Sequence, residues 1–282
     1  MNINDTNDAG NEKRGKRKKP VVISFVNNKG GSAKTTTCAN VGYSLSKLGY
    51  RVLLVDGDMQ SNLSLSFLEE DRVLEVSQSD RNLFYALKNR SGLKGFIVGT
   101  PFCNIDIILP AVTVHRDNYP GFSEDGGAGI LRECMKDILT SGDYDYILID
   151  SPPTLGDWVL NIMNASDFLI IPAEASPWCF FGLANLLEYV GKAVDPGRSE
   201  IMGVVLTKVD ERKRYLKQAR ETIGGLKGLH VFNCCIHMDS SVEWAQEFSK
   251  PIMEYRKTSR AAREYFELSK EVDLIAGRKG KH

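Results

Sequence analysis

The segment from Val21 to Thr37 constrains the fold more than any other part of the chain. It reads VVISFVNNKGGSAKTTT, which is a short apolar run, a glycine-rich turn, and then Lys34-Thr35 at the start of a helical pattern. Glycines let backbone N–H groups curl around phosphate oxygens, and a helix N-terminus adds partial positive charge. The segment therefore predicts a strand, a phosphate loop and a helix, in which Lys34 reaches the β- and γ-phosphates of a nucleotide and Thr35 binds Mg²⁺.

Short apolar runs, rich in β-branched residues, alternate with helical patterns along the rest of the chain. The runs predict buried strands at Val21–Val26, Val52–Val55, Ile105–Leu109, Tyr146–Ile149, Phe168–Ile171, Met202–Leu206 and Val231–Ile236. The spacing predicts helices at Thr35–Leu48, Ile130–Leu139, Gly182–Val190, Glu211–Ile223 and Arg260–Ile275. This alternation predicts an α/β fold, a doubly wound and mostly parallel sheet with helices on both faces.

The positions of the charged residues and the cysteines indicate how the chain is organised and which kinds of protein are excluded. The 36 Lys and Arg residues balance 36 Asp and Glu residues, but residues 1–19 hold six basic and three acidic groups, so the rest is mildly acidic. We expect a disordered basic arm at 1–19, one domain at 20–276 and a polar tail at 277–282. The scattered cysteines predict no disulfide or zinc framework, and the absence of a long apolar run predicts a cytoplasmic protein.

Carboxylates follow two of the predicted strands. Asp56 and Asp58 come after the second apolar run, and Asp150 ends the run at Tyr146–Ile149. Aspartate at a strand end is also common as a turn or helix-capping residue. Because ligands of open α/β sheets bind at the carboxyl ends of the strands, the order of these residues behind the phosphate loop favours a magnesium–nucleotide site.

The loop departs from the strict phosphate-loop pattern at Asn28 and Ala33, where that pattern has glycine. It fits K-G-G-x-x-K-T instead, with an early second lysine, Lys29. This is the deviant Walker A motif, and here the chain resembles the ParA/MinD family of ATPases. The segment Asp56–Asn62 resembles the family's D-x-D-P-Q-x-N switch, with Met59 replacing proline, and Asp150–Pro153 resembles its D-x-P-P turn.

The resemblance implies a role for each matching residue in a ParA-type ATPase domain that uses ATP and Mg²⁺. Lys29 would reach across a nucleotide-sandwich homodimer to the partner's phosphates, and Asp58 would position the attacking water. Asp150 would hold Mg²⁺, and Asp56 would support the strand end. The implied nucleotide contacts are Lys29, Gly30, Gly31, Ser32, Ala33, Lys34, Thr35, Thr36, Thr207 and Asp210, the implied metal site is Thr35, Asp58 and Asp150, and the implied catalytic residues are Lys29, Lys34 and Asp58.

The ParA branch of the family implies a role in DNA partition. Its members bind double-stranded DNA non-specifically as ATP-bound dimers, and a ParB-like centromere-binding protein stimulates their ATP hydrolysis. The resemblance therefore implies a nucleoid-associated protein that hydrolyses ATP only weakly without this partner. The DNA-binding candidates are Arg212, Lys213, Arg214, Lys217 and Arg220, besides the arm and the cluster Arg256–Arg263. An arginine that some relatives carry in an N-V-R-L segment is missing at Asp239–Val242.

Two alternatives remain open at this stage. A MinD-like or cargo-positioning ATPase would act on a membrane or a protein scaffold, but the acids within Ser259–Ile275 predict a core-packing final helix and no membrane contact. An iron–sulfur reductase of the same family would need bridging cysteines, and the surroundings of Cys103 and Cys134 do not match that pattern.

Overall fold

The structure is a computed structural model that describes residues 19–111, 127–176, 179–194, 197–212, 215–226 and 229–279. The strands are β1 (Val21–Phe25), β2 (Val52–Asp56), β3 (Val98–Gly99), β4 (Ile105–Ile108), β5 (Tyr146–Asp150), β6 (Phe168–Glu174) and β7 (Glu200–Thr207). They form one sheet in the order β3-β4-β2-β5-β1-β6-β7, and only the short edge pair of β3 and β4 is antiparallel. The predicted α/β, mostly parallel sheet is confirmed.

Helices follow most of the strands. The first six are α1 (Lys34–Lys47), α2 (Asn62–Leu65), α3 (Glu70–Gln78), α4 (Leu83–Lys88), α5 (Ile130–Cys134) and α6 (Lys136–Ser141). The others are α7 (Asp157–Ala165), α8 (Cys179–Ala193), α9 (Tyr215–Gly224), α10 (Ser241–Glu247), α11 (Ile252–Tyr255) and α12 (Arg260–Lys279).

Side chains of the strands alternate between two apolar layers. In β5, Tyr146 and Leu148 pack in the layer that contains α1 and α12, whereas Ile147 and Ile149 pack on the opposite face against α4, α5 and α7. Because β5 is a parallel strand buried on both faces, all of its side chains from Tyr146 to Ile149 are apolar, and this continuous apolar run made the strand predictable from the sequence. The sheet is therefore covered on both sides, and its strand ends are fixed in position.

Several predicted boundaries are wrong. Val231–Ile236 is not a strand: it forms an isolated bridge at Val231 and follows β7 through scattered backbone hydrogen bonds. The helix predicted at Ile130–Leu139 is split at Met135, and the one predicted at Glu211–Ile223 begins only at Tyr215. The tail predicted at 277–282 begins inside α12, which continues to Lys279. Of the predicted arm, only Lys19 lies within the described residues.

The last helix, α12, packs along α1. Its apolar face, which includes Tyr265, Leu268 and Val272, is fully or almost fully buried in the same layer as Val41 and Leu45 of α1. Across the described residues, no helix is long and apolar enough to cross a membrane. The apolar side of α12 thus belongs to the core, as the sequence predicted.

Two leucines on α12 provide a matched test of this packing. We expect Leu268→Ala to lower the free energy of unfolding by about 2–5 kcal/mol, because a fully buried side chain leaves a cavity. Leu274 is 55% exposed on the same helix. Leu274→Ala should therefore change the free energy of unfolding by no more than about 0.5 kcal/mol. Urea unfolding measures both. Equal effects would contradict the assignment of α12 to the core.

Candidate active site

The phosphate loop connects β1 to α1. Two of its residues have a left-handed backbone, Gly31 with φ 72° and Ala33 with φ 68°. Gly31 adopts this conformation at no cost, whereas Ala33 is strained by its methyl group. The alanine found where the strict pattern has glycine therefore still adopts the left-handed conformation in the loop.

Lys34 is the first residue of α1 and is only 6% exposed. Its Nζ lies 3.4 Å from the backbone oxygen of Lys29, so the side chain extends along the inside of the loop. Burial lowers the pKa of Lys34, and the nearby charges of Asp150 and Asp58 oppose this shift. The ammonium group thus lies between the loop and two carboxylates, where a polyphosphate would be neutralised.

Thr35 and Asp150 join the loop to the sheet. The Thr35 hydroxyl donates a hydrogen bond of 2.6 Å to Oδ2 of Asp150, which ends β5. The other carboxylate oxygen, Oδ1, is buried without a hydrogen-bond partner among the described residues. Burial raises the pKa of Asp150 well above its ordinary value, the charge of Asp56 raises it further, and the Thr35 hydrogen bond opposes both.

This pair fits a bound Mg²⁺. Among the described residues, no group of three His, Cys, Asp or Glu side chains could hold a metal ion by itself. Mg²⁺ usually binds one or two carboxylates and takes its remaining ligands from phosphates and water. Thr35 and Asp150 offer a hydroxyl and an unpartnered carboxylate oxygen beside the phosphate loop, which is the donor set that such an ion needs.

Asp56, the last residue of β2, binds the segment that follows this strand. Its carboxylate is fully buried and accepts hydrogen bonds from the backbone N–H and the hydroxyl of Ser64, at 2.8 and 2.7 Å, and from the N–H of Asp58 at 3.2 Å. Burial raises the pKa of Asp56 to about 7 despite these bonds. Asp56 therefore fixes the turn that brings Asp58 to the cleft, in agreement with the supporting role that the resemblance implied.

Gly57 allows β2 and β5 to end close together. A Cβ atom at this position would lie 2.5 Å from the backbone oxygen of Asp150, a distance that no side chain tolerates. The N–H of Gly57 donates to this oxygen at 3.0 Å, and its own oxygen accepts a bond of 2.7 Å from Nε1 of Trp158. No sequence motif indicates this role for Gly57 or for Trp158.

The phosphate loop and Asp58 line a cleft of about 1020 Å³. The predicted residues Gly30, Gly31, Ser32, Ala33, Lys34, Thr35, Thr36, Asp58 and Thr207 contribute to its wall. Ile236, His237 and Met238 form part of the wall on the side of α10. His237 is held there by Glu264, which accepts hydrogen bonds from its backbone N–H at 2.8 Å and pairs with its Nδ1 at 2.6 Å.

Three of the predicted residues make contacts that the sequence did not reveal. Thr207 is buried beneath the loop and donates to the backbone oxygen of Ser32 at 3.2 Å, so its hydroxyl supports the loop. Asp210 is not part of the cleft wall, and its carboxylate binds Arg212 through two contacts of 2.9 Å. Lys29 is exposed at the rim, where its Nζ lies 2.7 Å from Oε2 of Glu174.

The predicted DNA-binding cluster does not form a uniform patch. Arg212 is highly exposed but paired with Asp210, and Lys217 lies 3.8 Å from Glu221. Arg220 donates to the backbone oxygens of Phe232 and Asn233, at 3.1 and 2.7 Å, and thus holds the segment that follows β7. Lys213 and Arg214 lie outside the described residues. Arg212 and Lys217 remain the exposed members of this cluster.

Some contacts at the cleft had no signal in the sequence. Lys208 has a left-handed backbone with φ 52°. Its Nζ lies near Gly31, at 3.9 Å from the position that a Cβ atom on this glycine would take. Gln246 of α10 donates to the hydroxyl of Thr36 at 3.0 Å. Both contacts join residues more than 170 positions apart, which a motif cannot reveal.

Comparison with known proteins identifies the family. A sequence model described as an AAA domain matches residues 20–202. The chromosome partitioning protein ParA of Caulobacter vibrioides is 30% identical over 256 residues, which are 89% of this chain and 93% of that protein. The sporulation initiation inhibitor protein Soj of Bacillus subtilis is also 30% identical, over 89% of this chain and 97% of that protein. The chain belongs to the ParA family of P-loop ATPases.

Solved structures share the fold of this ParA-family chain. The septum site-determining protein MinD of Pyrococcus horikoshii, complexed with Mg-ADP, is 27% identical with a TM-score of 0.72 and matches 93% of this chain and 100% of that one. A plasmid partition protein of Borrelia burgdorferi bound to AMPPNP has a TM-score of 0.74 over 93% of this chain and 100% of that one, at 23% identity. Both of these solved structures contain a bound nucleotide, and that of MinD also contains magnesium.

Replacing Asp150 tests the metal-binding assignment. Asp150→Asn keeps an acceptor for Thr35 and removes a buried charge, so we expect the nucleotide-free protein at pH 8 to be more stable by about 1–2 kcal/mol. The same change should weaken binding of Mg-AMPPNP by about 10- to 100-fold, because a magnesium ligand is lost. Denaturant unfolding and titration calorimetry measure the two effects. Thr35→Ser, which keeps the hydroxyl, serves as the control, and unchanged affinity in Asp150→Asn would contradict the assignment.

Proposed function

We propose that the protein is an ATP-dependent DNA-partition ATPase. The observation that carries this proposal is the convergence of Lys34, Thr35 and Asp58 on one cleft at a deviant Walker A loop, with Asp150 bonded to Thr35 behind the wall of the cleft. ATP binding would drive a sandwich homodimer, the dimer would bind double-stranded DNA without sequence preference, and hydrolysis stimulated by a ParB-like partner would release it. The family membership supports the partition role.

The residues of the cleft divide the work of nucleotide binding and hydrolysis. The N–H groups of residues 30–36 would bind phosphate oxygens, and Lys34 would neutralise the β- and γ-phosphates. Thr35 and Asp150 would hold Mg²⁺, which supplies charge neutralisation to the phosphates when bound. Asp58, at the mouth of the cleft and anchored by its neighbour Asp56, would orient the attacking water.

Lys29 supports a dimeric active site. Its side chain is 48% exposed at the rim of the cleft, outside the wall that Lys34 lines. An exposed ammonium group on the loop can contact a second copy of the chain more easily than its own buried phosphate cradle. In a sandwich dimer, Lys29 would place positive charge beside the phosphates of the partner, where charge grows during phosphoryl transfer.

The DNA-binding surface would combine several basic groups. Arg212 and Lys217 are exposed, and the six basic residues within 1–19 add charge from the N-terminal segment. In the third predicted cluster, Arg260 is held by Glu211 and Glu264, whereas Lys257 and Arg263 line an exposed groove beside α11. Cationic side chains of this kind bind phosphates without reading bases, so affinity would depend on salt concentration.

Asp58→Asn tests the hydrolytic step separately from binding. Asparagine retains an oxygen that can accept the N–H of Gln60, which Asp58 binds at 3.0 Å, so nucleotide affinity should change by less than about threefold. We expect the single-turnover rate of ATP hydrolysis to fall by about 10²- to 10⁴-fold, since the group that orients the water is lost. Phosphate release under enzyme excess measures the rate. A rate within twofold of the original chain would contradict the assigned role.

DNA binding tests the partition role. We expect binding to double-stranded DNA with Mg-ATP at low salt, loss of binding with ADP, and a steep decrease as salt rises. A chain starting at Pro20 distinguishes the contribution of the basic N-terminal segment from that of Arg212 and Lys217. Filter retention across a salt series measures all three effects on DNA binding. Flotation with lipid vesicles measures membrane binding, which the alternative function would require. Vesicle binding without DNA binding would instead support a cargo-positioning ATPase of the MinD type.

A further inference from the structure

Lys29 is attached to the end of β6 by two separate contacts. Its backbone N–H donates to Oδ1 of Asn27 at 2.9 Å, and Nδ2 of Asn27 donates to the backbone oxygen of Pro172 at 2.7 Å. Its side-chain Nζ donates to Oε2 of Glu174 at 2.7 Å. The backbone and the side chain of Lys29 are therefore held by the same strand, about 145 positions away along the chain.

Glu174 lies at a rigid point of the sheet. It is the last residue of β6 and pairs in register with Thr207 of β7, whose hydroxyl supports the other side of the phosphate loop at Ser32. The strand ends of β6 and β7 thus hold both sides of the loop. The sheet fixes the backbone of Glu174, whereas Lys29 has a long side chain that can turn toward a different partner.

The ion pair is exposed enough to be exchanged. The side chain of Lys29 is 48% exposed and that of Glu174 is 36% exposed. A pair of this kind contributes little to stability because water screens it and two side chains lose freedom. A more highly charged acceptor, such as a triphosphate, would therefore compete effectively for the ammonium group.

We propose that Glu174 is a positioning residue that holds Lys29 within its own protomer until an ATP-bound partner displaces it. This inference rests on the proposed function, because it assumes that Lys29 acts across a dimer. Lys29 would have to leave Glu174 to reach the phosphates of the partner. The contact thus opposes dimer formation, and ATP overcomes it because the γ-phosphate adds negative charge that ADP lacks.

The expected size of the effect follows from symmetry. Each sandwich dimer breaks two such pairs, one in each protomer. An exposed ion pair changes an equilibrium by roughly 1.4- to 5-fold, so the two together should change the dimer dissociation constant by about 2- to 30-fold.

Sedimentation equilibrium with Mg-AMPPNP measures that constant. We expect Glu174→Gln, which keeps the size and removes the charge, to lower the dimer dissociation constant by about 2- to 30-fold. Glu174→Asp keeps the charge and should remain close to the original chain. Glu267→Gln is the matched control, because it breaks another exposed Glu–Lys pair of 2.7 Å, with Lys270 on α12. A Glu174→Gln protein that dimerises equally or more weakly would overturn the proposal.

Chemical labelling of the nucleotide-free protein tests the contact without any dimer. We expect acetylation of Lys29 by acetic anhydride, measured by peptide mass spectrometry against the exposed Lys250, to increase in Glu174→Gln by about the single-pair factor of 1.4- to 5-fold. Unchanged labelling would show that Glu174 does not hold Lys29 and would overturn the proposal. If the original chain binds Mg-AMPPNP but does not dimerise, the proposed sandwich dimer is wrong, and the gating role of Glu174 fails with it.

Discussion

The hydrogen bond between Thr35 and Asp150 is the contact around which the active site is built. It joins the first turn of α1 to the end of β5, and parallel pairing places Asp150 beside Phe25 of β1 and Asp56 of β2. Two carboxyl groups are thereby buried side by side, and burial raises the pKa of both. Such an arrangement costs stability in the empty protein and is typical of a functional site that receives positive charge.

Most other features keep this contact in place or connect it to the surface. Gly57 lets two strand ends meet, Asp56 turns the chain toward Asp58, and Thr207 supports the loop from β7. The buried face of α12 holds α1, and therefore Lys34 and Thr35, against the sheet. In contrast, Lys29 lies at the exposed rim. In the function proposed above, the fixed part of the site would bind the nucleotide and the exposed part would contact a second protomer.

Local features made much of the site predictable from the sequence. The phosphate loop, Asp56, Asp58 and Asp150 were found because each lies beside an apolar strand and the order of these elements is informative. Val231–Ile236 was mistaken for a strand because its apolar composition resembles one, although its backbone bonds reach β7 at only a few residues. The outer position of Asp210 and the backbone contacts of Arg220 depend on tertiary packing, and no spacing of charges encodes them.

We propose that the γ-phosphate of ATP converts a monomer into a sandwich dimer that shares Lys29. The most direct measurement is the molecular mass of the unmodified chain, by sedimentation equilibrium, in Mg-ADP and in Mg-AMPPNP. We expect a 31.4 kDa monomer with Mg-ADP and a species of about twice that mass with Mg-AMPPNP. The same mass in both nucleotides, with both bound, would contradict it.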